Sequence, residues 1–298
     1  MKKSLALVLV LCTLAVPLTG CASAKPEPTK ATSPVTAPPQ TEPPEPTTPK
    51  SDVTLENQVI YDRDGVRITV TGMEEDAWTG TKIWMMLENN TDRNLLLTGD
   101  VFVVNGITVQ AYLYAEVAAG MKANDSLELF TDVLDSSHID KIATIHGYDT
   151  RIVDSDSLDT VAKVPLSLET SIAETHTQEI DDSGEEIFSQ DGITVIAQVI
   201  SEEFYGQTVQ LLVKNETGRD IIVEAENISV NGFTVDAWLY DTVCKGTVRY
   251  SELDLFATGL ADNGIEAVEE VTFTLRILDD TTYETIAKSQ VLTVSAAG

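Results

Sequence analysis

The chain repeats itself at a distance of 126 residues, and this constrains its fold more than any other feature of the sequence. The segment 105–109 (NGITV) is matched by 231–235 (NGFTV), and 111–114 (AYLY) is matched by 237–240 (AWLY). Solenoid repeats have periods of about 20–50 residues, so a longer period indicates a duplicated domain. We therefore predict two domains of the same fold.

The segments between these matches favour short β-strands. Apolar residues alternate at 83, 85 and 87, and again at 209, 211 and 213. A period of two is typical of a strand with one face on the core. The pairs Asn105-Gly106 and Asn231-Gly232 tolerate positive φ at both positions, as a type I′ hairpin requires. We expect seven or eight strands per unit, with one helical turn near 131–137 and 258–263.

This pattern predicts an all-β protein with two tandem immunoglobulin-like β-sandwich domains. The first is expected at 55–170 and the second at 186–298, joined by a flexible acidic linker at 171–185. Before them, residues 22–50 hold nine of the eleven prolines. A segment so rich in Pro and Thr cannot bury enough apolar surface to fold. We expect 21–54 to form a disordered stalk that can reach ~90 Å.

The first twenty residues have the parts of an export signal. Lys2 and Lys3 precede an apolar run at 5–16, which is too short to span a bilayer of ~30 Å. The segment 18–21 (LTGC) resembles the bacterial lipobox. The resemblance implies a signal peptide at 1–20, cleavage before Cys21, and lipid attached to that cysteine. The expected location is the outer side of the cell membrane, held by the lipid.

The two units also resemble immunoglobulin-like domains in secreted lipoproteins of Gram-positive gut bacteria. The likeness rests on an aromatic-Gly turn (78–80 and 204–206), a strand ending in Asn, a Val-Asn-Gly turn and an aromatic-Leu-Tyr segment. These motifs are turns and core positions. The resemblance therefore implies fold and location, and it carries over no catalytic residue.

Charge and cysteine content exclude several kinds of partner and bond. Without residues 1–20 the chain has 17 Lys and Arg against 48 Asp and Glu, a net charge of −31. Nucleic acids and anionic lipid heads are bound by clustered cations, so neither is an expected partner. Of three cysteines, Cys12 leaves with the signal and Cys21 takes the lipid. Cys244 then has no disulfide partner, and we expect a small buried residue.

The sequence predicts no catalytic residue, cofactor or metal. His138, His146 and His176 have no histidine at the matching place in the other unit. The segment 154–159 (DSDSLD) could offer calcium its carboxylates Asp154, Asp156 and Asp159. It lacks the glycine of an EF-hand loop, and the other interpretation is a solvated hairpin loop.

Aromatic side chains are the candidate binding residues. If Ile107 and Leu113 face the core, the intervening alternate positions face outward. The outward set then includes five aromatic residues, Trp84, Tyr112, Tyr114, Trp238 and Tyr240. Such residues can form a recognition surface for protein or sugar. In the alternative, they pack under a loop or against the other domain, or a β-bulge inverts the faces.

Two functions are compatible with these patterns. The first is a non-catalytic surface lipoprotein whose domains bind or space a protein or glycan partner. The second is a solute-binding lipoprotein associated with a transporter. A pocket of several hundred Å³ between the domains would favour the second, and a flat aromatic patch would favour the first.

Overall fold

A computed structural model of the protein describes residues 52–203 and 206–296. The signal peptide, Cys21 and the stalk up to residue 51 lie outside the described residues, as does most of the aromatic-Gly turn at 204–206. The two domains belong to one compact unit. No helix in the described ranges is both long and apolar enough to cross a membrane.

The first domain consists of ten described strands and one short helix. In chain order these are β1 (Gln58–Arg63), β2 (Val66–Asp76), β3 (Gly80–Asn89), β4 (Leu95–Val104), β5 (Ile107–Val117), β6 (Lys122–Leu129), α1 (Thr131–Ser136), β7 (Thr144–Gly147), β8 (Arg151–Asp154), β9 (Thr160–Lys163) and β10 (Ser167–Glu169).

The second domain follows the same order with eleven described strands. They are β11 (Glu185–Gln190), β12 (Ile193–Glu203), β13 (Gly206–Asn215), β14 (Ile221–Val230), β15 (Phe233–Thr234), β16 (Ala237–Trp238), β17 (Tyr240–Val243), β18 (Thr247–Phe256), α2 (Ala257–Asp262), β19 (Glu270–Asp279), β20 (Thr285–Lys288) and β21 (Leu292–Ser295). Both counts exceed the expected seven or eight, and in the second domain the chain equivalent to β5 alone contributes three short strands, β15, β16 and β17.

The predicted all-β fold class is confirmed, since each domain is built of strands that pack in layers around its own core. In the first domain β1-β2-β3-β6 form one layer and β4, β7 and β8 form the other, and β5 joins the layers by pairing with β4 along its length and with β6 at two residues. The core of the first domain runs from Leu55 to Leu168, and that of the second from Phe188 to Val294. The residues at 83, 85, 87, 209, 211 and 213 are at most 1% exposed, as their alternation predicts.

The Asn-Gly pairs occupy equivalent hairpin turns, as predicted. Asn105 and Gly106 have φ of 52° and 84°, and Asn231 and Gly232 have 50° and 84°. Each asparagine also fastens its turn to the next element. The carboxamide of Asn105 accepts hydrogen bonds from two backbone N–H groups at 143–144, and that of Asn231 from two at 269–270.

The duplicated strands differ most at β5. In the first domain β5 is continuous, and it pairs with β4 along its length and with β6 at two residues. In the second domain the equivalent chain is divided into β15, β16 and β17. There, β16 pairs with β18, whereas β15 and β17 pair with β14. The break lets one chain segment cross from one layer of the sandwich to the other.

The domains are in direct contact where β5 meets β18. One parallel bridge joins Ile107 to Val248, and the Val248 N–H donates to the Gly106 carbonyl at 3.2 Å. The Thr108 and Thr247 hydroxyls are 2.7 Å apart. This single bridge makes the hydrogen-bonded sheet continuous between the domains. The domains remain duplicates, because their separate cores and equivalent registers are unchanged by it.

The segment between the domains is fastened to both of them, so the expectation of a flexible linker is wrong. Gln178 donates to the His138 carbonyl at 2.8 Å and accepts from the Asn105 side chain at 3.0 Å. The backbone N–H of Asp181 donates to the Tyr250 hydroxyl at 2.8 Å. Asp182 pairs with Lys214 at 3.0 Å. These bonds fix the segment against one side of the interface.

Candidate functional site

The same exposed aromatic pair occurs in both domains. Tyr112 and Tyr114 on β5 are 51% and 46% exposed, and their ring centroids are 6.2 Å apart. Trp238 and Tyr240 are 59% and 40% exposed, with centroids 6.0 Å apart. In each pair the residue between the aromatics is buried, because successive strand residues face opposite sides. The strand parity therefore placed these four residues correctly.

Each pair has a carboxylate directly across from its first aromatic. Tyr112 is opposite Glu128 on β6, and Trp238 is opposite Asp254 on β18. Glu128 forms an ion pair of 2.7 Å with Lys82. At the place of Lys82 the second domain has a threonine, Thr208, whose hydroxyl donates to Asp254 at 3.1 Å.

Trp84 lies on the same face as Tyr112, as the alternation predicts, but it is less exposed than Tyr112. It is opposite Ser126 on β6, two residues before Glu128, so its side chain and that of Tyr112 share one face of the sheet. Its indole N–H donates to the Glu74 carboxylate at 2.9 Å. Trp84 thus adds a ring, held by its hydrogen bond to Glu74, to the face of the sheet that carries Tyr112.

The second members of the pairs differ in their electrostatic surroundings. The Tyr114 hydroxyl donates to Glu116 at 3.2 Å, and this bond raises the pKa of that hydroxyl. Burial raises the pKa of the Tyr240 hydroxyl, and the neighbouring Tyr283 and Glu224 act in the same direction. Both phenols are therefore neutral hydrogen-bonding groups at physiological pH.

The domains enclose two adjoining grooves. The larger is about 1090 Å³ and lies between α1 of the first domain and β13, β18 and α2 of the second. The smaller is about 380 Å³ and is lined by Gln110, Trp238 and Tyr240. Asp241 and Arg249 form an ion pair of 2.7 Å in its wall. Sequence analysis did not anticipate these grooves, since they depend on how the domains dock.

Five carboxylates line the larger groove. Asp132 and Asp135 come from α1, and the other three are Asp236, Glu252 and Asp254. His138 lies at the same surface, where its ring meets that of Tyr250 edge-on at 4.8 Å. Lys and Arg are absent from the described residues that line this groove. The electrostatic potential in this groove is consequently negative.

The interface between the domains also covers part of Tyr148 and buries Cys244. The Tyr148 hydroxyl donates to the Asp280 carboxylate, which also accepts a hydrogen bond from Thr242 at 3.1 Å. Burial, together with this bond, holds the Tyr148 pKa well above its usual value. Cys244 is 5% exposed, as predicted, and burial raises its pKa to about 11. A thiol of this kind is a poor nucleophile at neutral pH.

The segment once considered for calcium is a tight turn. Asp154 accepts hydrogen bonds from the backbone N–H groups of Asp156 and Ser157 at 3.0 and 3.1 Å, and it lies 3.8 Å from Arg93. Asp279 does the same in the second domain, with Arg219 at 3.1 Å. The Asp154 carboxylate, which would be the first ligand of a calcium loop, thus accepts the backbone hydrogen bonds that hold a hairpin turn. In the described ranges, no three His, Cys, Asp or Glu side chains converge as metal ligands.

One further exposed aromatic residue was overlooked as a candidate. Trp78, in the turn between β2 and β3, is 90% exposed. Asp76 holds this turn by accepting hydrogen bonds from the N–H groups of Trp78 and Thr79, both at 2.9 Å, and these bonds lower the Asp76 pKa. The signal in the sequence is the aromatic residue before Gly in this turn, which occurs in both copies.

No protein-family model matches the chain, and no curated protein matches it significantly.

Proposed function

We propose that the protein is a non-catalytic lipoprotein of the cell surface whose two β-sandwich domains bind a protein or glycan partner. The observation that carries this proposal is the aromatic pair that occurs, exposed, at the same place in both domains. Both domains have kept an exposed aromatic pair at this place after the duplication. This favours a role for the pair in binding a partner. Core packing does not explain it, since these rings are half in solvent.

The geometry suits a binding surface because the aromatics stand on strands. Tyr112 lies on a strand that pairs with β4 and β6, and Trp238 lies on a strand that pairs with β18, so little ordering of the backbone is needed when a partner arrives. Aromatic residues are enriched among those that contribute most to binding. The neutral hydroxyls of Tyr114 and Tyr240 add hydrogen-bonding groups at the same surface.

The proposed anchor is a lipid on Cys21, followed by the Pro/Thr-rich stalk. The support is the lipobox at 18–21 and the apolar run before it. A Cys21→Ala variant and treatment with globomycin test this directly. The unmodified protein should partition into the detergent phase, and the variant should remain in the aqueous phase. Detergent partitioning by the variant would show that another segment provides the anchor.

The binding surface is tested with two double variants, Y112A/Y114A and W238A/Y240A. Each should lose adsorption to a protein or glycan ligand that the unmodified chain binds, with thermal unfolding unchanged. V291A is the control, because Val291 is 69% exposed and lies outside both pairs and both grooves. Equal binding by all three variants would rule out the aromatic pairs as the binding surface.

The larger interdomain groove favours a second candidate, a solute-binding lipoprotein that serves a transporter. A volume of about 1090 Å³ is ample for a small molecule. Native mass spectrometry of the protein purified from its own cells is the appropriate measurement. A bound small molecule that is lost in an Ala257→Trp variant, which obstructs the groove wall, would support this candidate over the first.

A further inference from the structure

We infer that the partner presents a cationic polypeptide segment, whose Lys or Arg side chains rest on Trp238 and on the Tyr112/Tyr114 pair. This inference rests on the proposed function and names the chemistry of the partner. Its starting point is the combination that both domains share, a half-exposed ring with a carboxylate directly across the strand pair. Glu128 occupies that place beside Tyr112, and Asp254 beside Trp238.

A ring beside a carboxylate is suited to a cation. The face of an aromatic ring attracts an ammonium or guanidinium group, and Trp does so most strongly. A carboxylate on the adjacent strand supplies the ion pair at the same point. Neutral sugars would use the ring but have no need of the charge, and anionic glycans would be repelled by it.

The surrounding charge agrees with a cationic partner. The chain carries a net charge of −29. Asp254 and Glu252 line both interdomain grooves, and α1 adds Asp132 and Asp135 to the wall of the larger one. A cleft lined by one sign of charge concentrates ligands of the opposite sign and speeds their association.

The two aromatic pairs lie along one path. Gln110, Tyr112 and Tyr114 are successive outward residues of β5, and Gln110 lines the smaller groove together with Trp238 and Tyr240. Outward residues of a strand are ~7 Å apart, so Gln110 and Tyr114 are separated by ~13 Å. An extended peptide that follows β5 therefore passes from one aromatic pair into the groove that holds the other.

The two subsites are unequal. In the first domain Lys82 is paired with the carboxylate at 2.7 Å, and its ammonium group competes with an incoming cation. In the second domain the neutral Thr208 stands at that position. The second domain also has Trp where the first has Tyr. We therefore expect Trp238 to contribute more to binding than Tyr112.

The test uses the purified full chain and a fluorescein-labelled twelve-residue peptide of alternating Lys and Ser, with fluorescence anisotropy as the readout. W238A should weaken binding about tenfold, and Y112A/Y114A should weaken it less. V291A, which changes an exposed residue outside both pairs, should leave the affinity unchanged. All these variants keep the net charge, so general attraction between an acidic protein and a basic peptide is the same in each.

A second comparison removes one carboxylate at a time. Asp254→Asn should weaken peptide binding several-fold, whereas Asp262→Asn, which removes the same charge from an exposed position outside both grooves, should have a small effect. Equal effects of the two variants, or equal affinity of W238A and V291A, would overturn the inference and leave only non-specific charge attraction. Thermal melts of each variant confirm that the fold is intact.

A neutral probe separates this inference from the function it rests on. Chitohexaose is titrated against the same variants. Loss of chitohexaose binding in W238A, with peptide binding unchanged, would overturn the cationic partner but retain an aromatic binding surface. Variants that bind both probes like the unmodified chain would contradict both proposals.

Discussion

Asn89 in the first domain and Asn215 in the second make the same hydrogen bonds from fully buried side chains. The side-chain N–H₂ of Asn89 donates to the Arg93 carbonyl at 2.7 Å, and that of Asn215 donates to the Arg219 carbonyl at 3.0 Å. Each side-chain oxygen accepts the backbone N–H two residues later, at 3.0 Å in both domains. The two loops that leave β3 and β13 are therefore shaped by one buried residue each.

We predict that Asn89→Ala and Asn215→Ala each lower the free energy of unfolding by ~2–4 kcal/mol, because each leaves buried backbone carbonyls without a donor. Urea unfolding of the full chain measures the loss. Asn90→Ala, one residue away and exposed, is the control and should change the free energy by less than ~0.5 kcal/mol. A similar loss in all three variants would contradict the assigned role.

The faces of β5 and β16 give a second prediction. Tyr112→Ala and Trp238→Ala should change the free energy of unfolding by less than ~1 kcal/mol, because the rings are half in solvent. Their neighbours Leu113 and Leu239 are 1% and 3% exposed, and their replacement by Ala should cost ~2–5 kcal/mol. The opposite ranking in thermal or urea unfolding would show that the core and surface faces were inverted.

Gly80 begins β3 in a conformation that an L side chain rarely adopts, with φ of +98°. A Cβ there would lie 2.0 Å from the Leu129 carbonyl oxygen. We expect Gly80→Ala to destabilise the first domain by at least ~2 kcal/mol, since the backbone must move. Gly218→Ala places its methyl group in open space and should be close to neutral. Equal melting temperatures of the two variants would refute the steric argument.

The bond between Tyr148 and Asp280 predicts a loss of stability in alkali. The Tyr148 pKa is raised in the folded state, so its contribution is complete below about pH 10, where the unfolded phenol begins to ionise. Above that pH the unfolded state loses its proton first, and stability falls by at most about 1.4 kcal/mol per pH unit, less because the side chain is partly exposed.

Urea midpoints of the unmodified chain and Tyr148→Phe, measured from about pH 8 to pH 11, test this prediction. The variant lacks the hydrogen bond to Asp280 and should be the less stable protein at pH 8. The gap between the two should narrow as the pH rises above about 10. A gap that stays constant would mean that the Tyr148 hydroxyl does not titrate differently on unfolding.

Local patterns were sufficient to predict the strands, the hairpins and the two short helices. Asn105 and Asn231 marked turns because positive φ is a property of the residue and its neighbour. The alternation at Tyr112 and Leu113 predicted the exposed and buried faces, because a strand imposes that period on any sequence it contains.

The way in which one domain docks on the other could not be predicted from those patterns. Thr108 is outward on β5, but the second domain covers it and leaves it 1% exposed. Phe233 corresponds to Ile107, yet it is 51% exposed where Ile107 is fully buried. Strand periodicity describes one sheet at a time, so it could not predict these reversals or the grooves between the domains. The carboxylates of the larger groove were likewise visible only as part of a high acidic content.

The bridge between β5 and β18 joins two different surfaces, and such a contact can in principle add units without end. In this protein the first domain does not present the surface that such a contact would need. The positions equivalent to Val248 and Tyr250 in the first domain are Lys122 and Asn124, and the Lys122 side chain is 65% exposed and paired with Glu88. A third domain docking there would have to strip water from that ammonium group. The surface by which the second domain docks on the first is therefore not repeated on the first domain, and the duplicated pair has two chemically distinct ends.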